Sequence, residues 1–210
     1  MRRSLTSALV LLFANPAVPA PTITVIVNDL AGTPPGVVTR AELQTTRIFR
    51  QIGIATVWQK PDLDSVDRFE RPPSLDPIHR LAIRMIIQPR FRGRRDDRLR
   101  SEMGAAMASQ QPCGGSIDLF FDRIVDVAGL YHLDPALVLG HVAAHEIGHR
   151  LLGKGHAREG LMRSPWSARD FERATLGLLL FTAPDVETIR GEAAACERIS
   201  SSEPSAVIRR

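Results

Sequence analysis

The chain has 210 residues, with 27 Lys and Arg against 23 Asp and Glu for a formal charge of +4, and 44% of it is hydrophobic. About 190 residues remain once the N-terminus is set aside, enough for one domain with a real core, and no apolar run reaches the roughly 20 residues of a membrane span. Lys60 and Lys154 are the only lysines, an arginine skew of the kind base composition produces, so the charge does not argue for a nucleic-acid partner.

Arg2 and Arg3 precede a short apolar run, Leu5 to Phe13, and then small residues and prolines. That is the layout of a secretory signal peptide over residues 1–20, with Ala14, Ala17 and Ala20 as cleavage points, and it predicts a secreted or periplasmic protein. The other reading is an apolar segment that stays uncleaved. Thr22 to Asn28 alternates β-branched residues and predicts a strand, ended by AGTPPG. From Val37 to Gly53, Val38, Leu43, Ile48 and Ile52 recur near helical spacing, with Gly53 as a stop. Ile54 to Gln59 predicts a second strand and the Pro-rich stretch Pro61 to Pro77 a long loop.

Leu81, Ile83, Met85 and Ile87 alternate as a third strand. Arg90 to Arg100 is arginine-dense but contains Asp96, Asp97 and a single aromatic, so it lacks a base-stacking platform and reads as a solvated loop. Gly104 to Ala108 is short and small-sided, like an edge strand, and Gly114 to Ile124 is a fifth extended segment running into a turn or short helix. A long helix follows, with Asp134 as N-cap, Pro135 in its first turn and Gly153 as its stop. Ser167 with Asp170 resembles a capping box for a helix around Phe171 to Leu180, and Thr182 with Asp185 caps a last helix reaching about Arg198. The polar end from Ser200 is expected to be a flexible tail, leaving a single domain over 21–198. Cys113 and Cys196 either close a long loop as a disulfide or stay as free thiols, and their spacing leaves both open.

The chemistry lies in HEIGHRLLGKGH, His145 to His156. Histidines four apart on a helix share one face, so His145 and His149 can direct two imidazole nitrogens at one ion. Glu146, next along, can reach a water at that ion without ligating, where a general base belongs. A catalytic zinc usually takes three protein ligands. His156 is the candidate third; a downstream carboxylate, Glu159 or Glu172, or a site with two protein ligands are the alternatives. His141, His132 and His79 read as structural, and Tyr131, the only tyrosine, has no assigned role.

The motif resembles the metzincin pattern H-E-x-x-H-x-x-G-x-x-H, but Leu152 stands in the glycine's place, so Gly153 and His156 each arrive one residue late. One extra helical residue turns the exit by about 100°, and the glycines of GKGH give the backbone freedom to turn back. The chain thus looks like a metzincin-type zinc metallopeptidase, closest to the matrix metalloprotease type and to secreted bacterial proteins of similar layout. The resemblance implies an α+β, zincin-like fold with a twisted mixed sheet of about five strands, a first helix and a long active-site helix. It divides the domain into an upper part, 21–155, and a small, mainly helical lower part, 156–198. It places Met162 in a methionine turn beneath the metal. It also implies a substrate pocket near Pro165 and Trp166 and an edge strand, with Ala105 and Ala106, that pairs with an extended peptide.

The function so implied is that of a secreted, monomeric endopeptidase with one catalytic Zn2+, held by His145, His149 and His156 with Glu146 as base, acting on peptide or protein substrates and without a nucleic-acid partner. The rival reading is an exported zinc-binding or adhesion module with the same fold and little turnover, and a carboxylate-ligated, gluzincin-like enzyme is a further variant.

Overall fold

The computed structural model describes residues 20–60, 81–89, 102–107, 113–153 and 155–202. Most of the proposed signal segment, the loop Pro61 to Pro77, His79, the Arg90 to Arg100 cluster and Lys154 lie outside the described residues. The elements in chain order are β1 (Thr22–Asp29), α1 (Val37–Gln51), β2 (Ala55–Gln59), β3 (Ala82–Gln88), β4 (Gly104–Ala106), β5 (Gly114–Phe120), α2 (Phe121–Leu130), α3 (Pro135–Leu152), α4 (Ala168–Thr175) and α5 (Ala183–Ser202).

The five strands form one mixed sheet in the order β2-β1-β3-β5-β4. β1 pairs parallel with both β2 and β3, β3 pairs parallel with β5, and β4 runs antiparallel along β5. A parallel pair needs a crossover, which α1 supplies between β1 and β2. Alternation places Ile23, Val25 and Val27 of β1 and Ile83, Met85 and Ile87 of β3 in the core, all at most 5% exposed. α1 and α3 pack with these residues in one continuous apolar cluster.

α3 is apolar almost all round, and every residue from Val138 to Gly148 is buried. A helix of that composition belongs inside a protein rather than on its surface. Its Asp134 cap accepts the Ala136 N–H at 2.9 Å and pairs with Arg40 of α1 at 3.2 Å. Where α1 crosses α3, the backbones nearly touch: a Cβ on Gly140 would stand 2.8 Å from the Ala41 carbonyl, and the Thr45 hydroxyl donates to the Gly140 carbonyl at 2.9 Å.

Several boundaries differ from expectation. α1 buries Val37, Ala41, Thr45, Ile48 and Phe49, while Leu43 is exposed, because it lies on the opposite side of the helix from Ala41 and Thr45, which meet α3 at Gly140. The fifth strand stops at Phe120 and a ten-residue helix, α2, follows at once, burying Phe121, Ile124, Val127 and Ala128. α4 starts on its capping box, Ser167 with Asp170, but ends at Thr175, since Gly177 turns the chain at φ 70°. Thr182 and Asp185 cap α5 as read, through the Thr182 N–H and hydroxyl, and α5 continues to Ser202, past the expected start of the tail. Cys113 and Cys196 form a disulfide, with Cα atoms 5.4 Å apart, that ties the start of β5 to α5. Among the described residues no helix is long and apolar enough to cross a membrane.

Candidate metal centre

α3 carries His145, Glu146 and His149 on its last turns and ends at Gly153, whose N–H donates to the His149 carbonyl at 3.1 Å. Gly153 lies at φ 82°, ψ −163°, a region essentially reserved for glycine, and Gly155 at φ 132°. These two residues turn the chain back so that the extra helical residue does no harm. His156 arrives with its Nε2 3.2 Å from the Nε2 of His149. One nitrogen from each of His145, His149 and His156 lies within 4.8 Å of the others, the only such group of three His, Cys, Asp or Glu among the described residues. Glu159 and Glu172 are not in it; they line a hollow beside α4.

The donor set fits zinc. Four ligand atoms arranged tetrahedrally at about 2.0–2.1 Å from an ion stand roughly 3.3 Å apart, which the His149–His156 pair nearly matches. The His145 Nδ1 lies 2.8 Å from the Leu161 carbonyl and the His149 Nδ1 3.3 Å from the Gly153 carbonyl. A carbonyl only accepts, so both Nδ1 atoms carry the proton and both Nε2 atoms keep a lone pair. The His156 Nε2 faces the His149 lone pair, to which it can donate a hydrogen bond or beside which it can share a cation. Burial, the main cause, lowers the His145 pKa to about 4 against the opposing Leu161 bond, with the charges of His149 and His156 adding to the shift; burial likewise lowers His149. Both rings are therefore neutral and ligand-competent near neutral pH.

Glu146 is buried between α3 and the edge strand β4. Its carboxyl group is pushed up to about 8, first by burial and then by the charge of Glu102, against a bond from the Ala106 N–H. Beneath the helix, Gly160 to Arg163 forms a turn, closed by the Arg163 N–H on the Gly160 carbonyl at 3.2 Å. The turn seats buried Met162 against Gly148, where a Cβ would lie 2.6 Å from its Sδ.

A cavity of about 170 Å³ opens beside His145 and Glu146, walled by Met103, Val127, Tyr131, Pro165, Trp166 and Phe171 among others. Pro165 and Trp166 line this cavity, whereas Ala105 and Ala106 lie on β4 and do not. Tyr131 stacks on Phe171 with centroids 4.5 Å apart. His141 is 1% exposed, with its Nδ1 on the Leu137 carbonyl at 2.8 Å, and His132 sits at φ 55° in the turn after α2. Sequence reasoning missed three participants. Arg150 joins Met107 to Gly114 through their carbonyls, at 2.9 and 2.5 Å, and so holds β4 against β5. The Leu161 carbonyl and the Ala106 N–H are main-chain groups that no side-chain motif announces.

A five-strand mixed sheet backed by a helix that presents H-E-x-x-H is a zincin-like α+β architecture. Among solved structures the chain is similar to archaemetzincin from Methanopyrus kandleri, with a TM-score of 0.52 and 12% identity over 85% of this chain and 98% of that one. No protein-family model matches the sequence, and no curated protein does.

Proposed function

We propose that this chain is an exported zinc-dependent endopeptidase. The observation that carries the reading is the His145–His149–His156 group, with two Nε2 lone pairs fixed by main-chain acceptors, beside a buried carboxyl group. His145, His149 and His156 would hold the ion, and Met162 packs against Gly148 in the helix that carries the first two. A zinc ion held there would supply Lewis acidity toward a scissile carbonyl and a water molecule. The charge of a cation held by the three histidines would favour the ionised form of the Glu146 carboxyl, which without metal keeps its proton near neutral pH. Its carboxylate oxygen then takes the proton from the attacking water and passes it to the leaving amine.

Substrate placement follows from the surroundings. β4 is an edge strand next to Glu146, and an extended peptide would extend the sheet there. A hole of about 150 Å³ holds benzene, so the cavity beside Trp166 suits one leucine- or phenylalanine-sized side chain. A monomer acting on peptides fits this site. Export is supported by the layout of the first 20 residues and by the disulfide, since such bonds persist in oxidising compartments. The exposure of His156 favours the rival reading, a zinc-binding or adhesion module with little turnover.

The test is hydrolysis of a peptide library by the purified protein, with a chelator control and with Glu146→Ala. Cleavage that stops with chelator and falls at least about a hundredfold in the variant, which still binds zinc, supports the enzyme. Zinc binding without cleavage of any peptide supports the rival, and cleavage by Glu146→Ala at the wild-type rate rejects the proposed base.

A further inference from the structure

The Leu161 carbonyl receives two donors. The His145 Nδ1–H reaches it at 2.8 Å, and the indole N–H of Trp166 reaches it at 3.1 Å. The same residue is anchored through its own N–H, one peptide unit earlier, which donates to the Leu180 carbonyl at 2.8 Å. The indole also stands edge-on to the His145 ring, with centroids 5.7 Å apart at 89°, edge-on to His141 at 6.4 Å and edge-on to Phe171 at 5.8 Å. We propose that Trp166 is a positioning residue for His145, acting through the shared Leu161 carbonyl, as well as a wall of the substrate cavity. The proposal rests on the reading of the histidine trio as a metal centre.

The physical argument is one of restraint. A single Nδ1–H bond leaves a carbonyl free to tilt about its peptide and leaves the imidazole free to follow it. A carbonyl oxygen has two lone pairs, and a second donor on the other one fixes the tilt. Groups bonded directly to a metal-bound histidine orient it and typically change metal affinity by about 10- to 100-fold when removed, and Trp166, which acts one bond further out through Leu161, should have an effect at or below the low end of that range. The edge-on rings of His141 and Phe171 limit how far the indole itself can move, so the restraint is passed to the ring that bears the ligand nitrogen.

Trp166→Phe keeps an aromatic ring and deletes the donor. Zinc affinity, measured by chelator competition, is expected to fall severalfold, up to about tenfold, and the visible spectrum of the cobalt-loaded protein is expected to shift, while the thermal midpoint of the metal-free protein stays close to wild type. A spectrum and an affinity equal to wild type overturn the positioning role and leave the metal centre standing. Failure of the wild type itself to bind zinc overturns the metal centre, and the positioning role with it.

A second measurement needs no variant. Trp58, whose indole donates to the Thr46 hydroxyl at 2.8 Å between β2 and α1, is an internal control. In 15N-labelled wild type, the Trp166 indole signal should move along the zinc titration while that of Trp58 stays in place. Two indole signals that both ignore bound zinc overturn the proposal.

Discussion

Gly104 lies so close to Glu146 that a methyl group on its Cα would stand 2.8 Å from both Cγ and Oε1 of that side chain. The strand that would hold a substrate and the group proposed to move a proton therefore share one contact. Gly104→Ala is expected to displace the carboxyl group, which is the movable partner, rather than unfold the protein. A misplacement of about 1 Å at a catalytic group can cost on the order of 100-fold in rate. Expected is a fall of that order in kcat/KM with zinc content unchanged, read by peptide hydrolysis and metal analysis.

Glu146 also makes the metal-free protein sensitive to pH. Its carboxyl group is held at about 8 when folded, against its ordinary value of 4.5. The folded state keeps a proton that the unfolded state gives up, so stability is lost as pH rises from about 4.5 to 8. Each unit is worth about 1.4 kcal/mol, so the cost is on the order of a few kcal/mol at pH 8. Glu146→Gln removes it. The variant without metal should unfold at a higher temperature than wild type at pH 8 and at nearly the same temperature at pH 4.5.

Gly153 and His156 should fail differently. Alanine at Gly153 meets no neighbouring atom within 4 Å, so its cost is backbone strain alone, on the order of 1–3 kcal/mol. It should weaken zinc binding by pulling the return of the chain out of line. His156→Ala removes a nitrogen outright and should weaken binding by more than Gly153→Ala. Titration calorimetry on both variants checks the order, and equal affinity of His156→Ala and wild type would exclude His156 as a ligand.

Reduction should loosen the fold more than a surface change does. The Cys113–Cys196 bond spans a sequence separation of 83 residues, and closing a loop of that length is worth roughly 4–5 kcal/mol in the chain-entropy picture. A lower urea midpoint with reductant, or in a Cys113→Ser, Cys196→Ser protein, is the expected result.

What could be read from the sequence was mostly local. The capping pairs Ser167–Asp170 and Thr182–Asp185, the Asp134 cap and the stop at Gly153 each depend on residues a few positions apart, and all are present. His145 and His149 share a face for the same reason. The start of α2 was legible in principle, since Phe121, Ile124, Val127 and Ala128 follow a helical period, but the alternation of β5 runs into it without a break. Leu43 misled because an apolar residue says nothing of how close a neighbouring backbone lies. The contacts of Gly104 with Glu146 and of Trp166 with Leu161 are made by packing and by main-chain groups, which leave no periodic trace.

The covalent ring closed by Cys113 and Cys196 encloses His145, Glu146, His149, His156, Met162 and Trp166, while β4 lies just outside it. A single cut between the cysteines leaves both pieces joined, so the centre survives a nick that would split an open chain. A cut between β4 and Cys113 has no such safeguard: it breaks the covalent link between the edge strand and the ring that carries the centre, and only packing and sheet hydrogen bonds then hold the two together. For a chain proposed to break peptide bonds, damage inflicted by its own copies would therefore show first as a loss of substrate grip, with the ion still in place.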